Sequence, residues 1–92
     1  MDLQLAGRTA LITGASKGIG LGVAQAFAAE GVNLILAARS KDQLEQNAAE
    51  LREKHKIKVD IMPLDLSDQA SRDKLVAAHP NVDILINNAG AI

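Results

Sequence analysis

Cysteine is absent from the 92-residue chain, as are tyrosine and tryptophan, and Phe27 is its one aromatic residue. Without thiols there can be no disulfide, no thiolate nucleophile and no Cys-ligated zinc. A cysteine-free chain suits a cytoplasmic location. With one aromatic ring available, a core has to be assembled from Ala, Val, Leu and Ile, as stacked strand-and-helix layers often are. No sign of charge dominates: ten Lys and Arg are interspersed with eleven Asp and Glu. That balance argues against nucleic acid or an anionic membrane surface as the main partner. No apolar run approaches the roughly 20 residues of a membrane helix. Met1-Asp2-Leu3-Gln4 has neither the basic nor the apolar stretch of a signal peptide. The expectation is a soluble protein of at most one domain, without repeats, low-complexity tracts or linkers.

What is present is an alternation of two periodicities. Arg8 to Thr13, Asn33 to Ala38, Lys58 to Leu64 and Val82 to Asn87 are short, continuous apolar runs. Continuous rather than alternating character fits strands covered on both faces. Between them lie helical patterns. Ile19, Val23 and Phe27 recur every four residues, and Gly31 stands where that helix should stop. Leu44, Ala48, Leu51 and His55 mark one face of a second helix, opened by Ser40 and Gln43 at capping-box spacing. A third helix runs from an N-cap at Ser67 to Ala78, with Ala70 and Leu75 inward and Pro80 beyond its end. Right-handed crossovers then predict an α/β fold: a Rossmann-like parallel sheet of strand order 3-2-1-4, an incomplete doubly wound three-layer structure. Lys54, Lys56 and Lys58 fall at its edge, where lysines solvate a helix end and blunt an exposed strand.

The first strand runs into Gly14-x-x-x-Gly18-x-Gly20, and a helix opens on the far side of that loop. This context separates a dinucleotide loop from chance glycines. One glycine permits backbone angles that a side chain forbids, and another lets a pyrophosphate approach the main chain. The free N–H groups and positive dipole of the helix start then face the phosphates. Gly22, inside the helix, reads instead as a site of close helix–sheet packing. An NAD site usually carries an acid about 20 residues on, at the end of the second strand, to hold the ribose 2′-OH. Here Ala38 occupies that place and Arg39 follows it. Loss of the acid removes repulsion of a 2′-phosphate, which Arg39 can grip in bidentate fashion while Ser40 donates a further hydrogen bond. NADP(H) is favoured over NAD(H).

Thr13-Gly14-Ala15-Ser16-Lys17-Gly18-Ile19-Gly20 and Asn87-Asn88-Ala89-Gly90 together resemble the opening of a short-chain dehydrogenase/reductase, over essentially the whole chain. The resemblance implies an oxidoreductase that moves hydride between a nicotinamide and a carbonyl or alcohol carbon of a small-molecule substrate. It implies that residues 1–92 are the N-terminal part of a single NAD(P)-binding Rossmann domain, homo-oligomeric when complete. Lys17 lies where NADP-preferring members often carry a basic residue. Asp65 either contacts the adenine ring, with Leu66 holding it through the backbone, or merely starts the next turn beside Ser67. Asn87 is implied to tie the central sheet together, and Ala89 and Gly90 to border the adenosine ribose. The implied cofactor-binding positions are therefore Gly14, Ser16, Lys17, Gly18, Ile19, Gly20, Arg39, Ser40, Asp65, Leu66, Asn87, Ala89 and Gly90.

Catalysis in this family rests on a Tyr-x-x-x-Lys pair and a serine. The chain holds no tyrosine, and Ser16, Ser40, Ser67 and Ser71 lie too early to be that serine. No catalytic residue is assigned. No metal site is assigned either: His55 and His79 are isolated, and Asp60, Asp68, Asp73 and Asp83 read as caps and solvated positions. A stand-alone nucleotide-binding module and an inactive truncated product are the alternatives. In every case the strand from Val82 is expected to leave an apolar edge, so that the segment alone is marginally stable.

Overall fold

The computed structural model describes residues 5–16, 18–64, 68–78 and 81–86. Strands β1 (Thr9–Thr13), β2 (Asn33–Ala38), β3 (Val59–Pro63) and β4 (Ile84–Ile86) alternate with helices α1 (Gly18–Ala29), α2 (Lys41–His55) and α3 (Gln69–Ala78). All pairings are parallel and the sheet runs β3-β2-β1-β4. This is the expected order, with β1 and β3 slightly shorter than their apolar runs and β4 starting two residues into its own.

Side-chain alternation divides the sheet into two faces. Ala10, Ile12, Leu34, Leu36 and Val59 face α1 and α2, meeting Ala24, Ala28, Leu44, Ala48 and Leu51 in one core. Leu11, Ile35 and Ala37 face the other way and meet Leu75 of α3. Both faces of β1 and β2 are therefore covered, which is why their sequences are apolar without a break. Strand β4 forms an edge: Ile84 and Ile86 pack on the first core, while Leu85 is 63% exposed.

Helix boundaries follow local chemistry. Gly31, at φ +79°, closes α1 in a Schellman arrangement. Its N–H donates to the Ala28 carbonyl and that of Val32 to the Phe27 carbonyl. The inward stripe of α1 is the expected one only in part: Val23 and Phe27 are half-buried against the first core, but Ile19 is not. Gly20, Ala24 and Ala28 are buried, whereas Ile19 is 76% exposed. Small residues let the helix approach the sheet, so the buried line is set by size rather than by hydrophobicity. Gly22 packs against nothing among the described residues: it is exposed, and a Cβ there would meet none of their atoms within 4 Å. At α3 the cap is Asp68, whose Oδ1 accepts the Ala70 N–H. Ser67 lies outside the described residues, and Ala70 is exposed rather than inward.

Ser40 does occupy the N-cap of α2, with extended backbone, but its side chain makes no capping hydrogen bond. The expected capping box is absent, and the Gln43 side chain turns along the helix instead of back to the cap: its Nε2 donates to Asn47 Oδ1 at 3.0 Å. At the other end Lys56, in the left-handed region at φ 58°, returns its N–H to the Arg52 carbonyl.

Candidate dinucleotide site

Parallel register brings the predicted site residues to one edge of the sheet. Thr13 pairs with Ala37, so the glycine loop leaves β1 beside the end of β2, from which Arg39 and Ser40 emerge. Neighbouring strands lie about 4.8 Å apart. The two segments thus share the carboxyl edge, where ligands of open α/β sheets bind.

The loop is built on two left-handed glycines, Gly14 at φ 65° and Gly18 at φ 63°. A Cβ added to Gly18 would meet no atom within 4 Å among the described residues, so its surroundings are open. Ser16 is half-buried, Gly20 is buried on the inward line of α1, and Ile19 stands exposed on the first turn of that helix. Arg39 is exposed and takes part in no ion pair among the described residues, and Ser40 beside it is exposed too. A cationic side chain, a hydroxyl and a helix start thus flank an open loop. This donor set suits a phosphorylated ribose joined to a pyrophosphate.

Two residues that sequence reasoning passed over shape this edge. Thr13, 7% exposed, donates its hydroxyl to the Ile86 carbonyl at 3.4 Å and so links the root of the loop to β4. Asn47, 4% exposed, donates Nδ2 to the Ser16 carbonyl at 2.9 Å and the Ala15 carbonyl at 3.3 Å. Ala15 is also held from below, its N–H donating to the Ala37 carbonyl at 3.4 Å. A polar residue beside the apolar positions Leu44, Ala48 and Leu51 was the available signal for Asn47.

Lys17, Asp65, Leu66, Asn87, Ala89 and Gly90 lie outside the described residues, as do Asn88 and His79. Chain connectivity alone attaches Asn87 to Ile86, which pairs with Ile12 two positions before Gly14. Two surface depressions lie elsewhere. One opens at the amino ends of the strands, around Thr9, Asn33 and Lys58, and the other between α1 and α2, around Leu21, Gln25 and His55. Neither is lined by Gly14, Arg39 or Ser40, and the carboxyl edge is the better candidate on topological grounds. Among the described residues no group of three His, Cys, Asp or Glu could hold a metal ion, and no helix is long and apolar enough to cross a membrane.

Comparison with known proteins agrees with this geometry. The chain is 39% identical over 92 residues to the uncharacterized oxidoreductase YvaG of Bacillus subtilis (strain 168), covering 98% of this chain and 34% of the relative. It is 44% identical to an NADP-dependent 3-hydroxy acid dehydrogenase of Schizosaccharomyces pombe, covering 95% of this chain and 36% of that protein. The crystal structure of L-sorbose reductase from Gluconobacter frateurii, complexed with NADPH and L-sorbose, superposes with a TM-score of 0.94 at 39% identity. That match covers 99% of this chain and 36% of the reductase. The chain spans about a third of the length of the relatives it matches. The family model for short chain dehydrogenases matches residues 8–92, and the chain belongs to that family.

Proposed function

We propose that this segment is the NADP(H)-binding N-terminal part of a single NAD(P)-binding domain in an oxidoreductase. Its substrate is a small molecule with a carbonyl or alcohol carbon. The observation that carries the reading is the meeting of the glycine loop with Arg39 and Ser40 at the carboxyl edge of a 3-2-1-4 sheet. The NADPH held by L-sorbose reductase and the NADP dependence of the fission-yeast relative support the same cofactor.

The dinucleotide, when bound, supplies or accepts the hydride; the residues of this chain bind and orient it. Gly14 and Gly18 keep the loop free of side-chain bulk, so that main-chain N–H groups and the start of α1 face the pyrophosphate. Arg39 neutralises the 2′-phosphate and Ser40 donates a hydrogen bond to it. The exposed side chain of Ile19 gains cover from the ligand, and burying such a side chain fully contributes about 1.5–3 kcal/mol. Lys17, Asp65, Leu66, Asn87, Ala89 and Gly90 complete the proposed contact set. Proton transfer to and from the substrate is assigned to residues outside this chain, which contains no tyrosine.

Calorimetric titration of Arg39→Asp, in the polypeptide at its native length, tests the reading. NADP+ affinity should fall about tenfold or more, with NAD+ affinity kept or improved, because a carboxylate repels the 2′-phosphate and accepts from the free 2′-OH. Equal loss of both would defeat the 2′-phosphate assignment.

A further inference from the structure

Asparagine is a poor choice for the middle of a helix, because its amide competes with the backbone for hydrogen bonds. It is poorer still in a core, where an amide without partners is costly. Asn47 is both: it lies in the interior of α2 and is 4% exposed beside Leu44, Ala48 and Leu51. A leucine or alanine here would serve α2 better. What the amide does instead lies 31 and 32 residues away in sequence, at the carbonyls of Ser16 and Ala15.

We propose that Asn47 is the positioning residue of the glycine loop, setting its main chain for the pyrophosphate, and that Gln43 holds Asn47 in the required orientation. The proposal rests on the cofactor reading above. Carbonyl oxygens accept but cannot donate, so only the amide nitrogen of Asn47 can serve Ala15 and Ser16. Its Oδ1 then faces away from the loop and takes the hydrogen bond from Gln43 Nε2. Both amide protons and the carbonyl oxygen of Asn47 are thereby committed.

The consequence for the loop follows from peptide geometry. In a planar trans peptide the N–H points opposite to the C=O. Drawing the Ala15 carbonyl toward α2 turns the Ser16 N–H to the opposite side, away from the helix. Because Ala15 is also bound to Ala37 of β2, its orientation is fixed from two directions. A ligand meeting a loop already set in this way does not have to order it, and affinity is gained by that saving. Gln43 stands on the first turn of α2, just after Arg39 and Ser40. One hydrogen-bonded chain therefore runs from Gln43, three residues beyond Ser40, through Asn47 to the pyrophosphate loop.

The test compares two ligands on folded protein at native length. NADP+ spans both ends of the site, whereas 2′-AMP engages the Arg39 and Ser40 end without a pyrophosphate. For Asn47→Leu, with folding checked by circular dichroism, calorimetry should give about a tenfold or greater loss for NADP+ and a change within about twofold for 2′-AMP. For Gln43→Met, the NADP+ loss should be about threefold, again without loss of 2′-AMP. Unchanged NADP+ affinity, or equal loss of both ligands, would overturn the positioning role. Should Asn47→Leu fail to fold, Gln43→Met decides between the same outcomes. Wild-type protein that binds neither ligand would refute the cofactor reading itself, and the proposal with it. Wild-type binding of both, with variants unaffected, would refute the proposal alone.

Discussion

Gly18 and Gly22 are four residues apart on α1, and substituting each by alanine should have opposite effects. Gly18 sits at φ 63°, and a Cβ on it would have no atom within 4 Å among the described residues, so alanine there meets no clash inside the protein. Its cost is conformational, about 1–2 kcal/mol for an L-residue in the left-handed region. Gly22 is not in that region and is exposed, and a Cβ on it would likewise meet nothing among the described residues. Alanine there removes glycine's helix penalty and should stabilise by about 0.8–1 kcal/mol. The two variants should therefore differ by about 2–3 kcal/mol in urea denaturation, with similar slopes if the compactness of each state is unchanged. The ligand adds a second difference. The open space at Gly18 is on the loop assigned to the pyrophosphate, so Gly18→Ala should weaken NADP+ by about tenfold or more, beyond its effect on folding. Gly22→Ala should leave affinity alone. A destabilised Gly22→Ala would mean that this helix surface is covered by protein. Equal NADP+ affinity in the two variants would mean that the open side of the loop is not the ligand's side.

Further expectations rest on the contacts at other element ends. Ser40→Ala should cost α2 less than about 0.5 kcal/mol in thermal or urea unfolding, below the usual cap value of about 1, since the Ser40 side chain makes no capping bond; NADP+ affinity should nevertheless fall in calorimetry. Asp83→Ala should cost about 0.5–1.5 kcal/mol, because Oδ2 accepts the Thr9 N–H at 2.9 Å. Removing the cation of the exposed Arg8–Asp83 pair, 3.9 Å apart, by Arg8→Gln should cost less than that in the same denaturation experiment. Leu44→Ala, at a fully buried position, should cost about 2–5 kcal/mol. The intact mass of the native protein checks the domain assignment: a chain of roughly 200–250 residues is expected of one such α/β domain, and a mass matching 92 residues would refute it.

The sheet was legible because burial on two faces writes itself into sequence. Ala10 to Ile12 and Leu34 to Ala38 have no exposed face, hence no polar interruption. The strand order followed from reading that alternation as a Rossmann-like half, in which helices cover both faces. Helix α1 was less legible for the converse reason. Its buried line is Gly20, Ala24 and Ala28, and residues of such small apolar surface hardly register against Ile19, Val23 and Phe27 on a hydrophobic scale. Hydrophobic periodicity detects area removed from water; it does not detect a helix whose close approach depends on having little side chain to remove. The same limit accounts for Gly22, where a glycine in a helix suggested packing and the backbone is simply exposed.

The capping box and Asn47 are two sides of one competition. A Ser-x-x-Gln pattern at a helix start offers Gln43 a partner in its own first turn, and local chemistry would choose it. The cap would use Gln43 Oε1 as acceptor for the Ser40 N–H; in the fold the side chain turns the other way, and Nε2 donates to Asn47 Oδ1 one turn further along, the carbonyl of a buried amide that must be satisfied. An exposed N-terminal N–H can bind water instead, so leaving the cap unmade costs little, whereas leaving Asn47 short of a partner costs more. The hydrogen bond goes where water cannot replace it. The Ser40 hydroxyl is likewise uncommitted to the cap, at the corner assigned to the 2′-phosphate, and the Gln43–Asn47 bond makes α2 the structural link between both halves of the proposed cofactor site. Local pattern identified the residues at each end of that link, but the link itself exists only once β1 and α2 have been brought together.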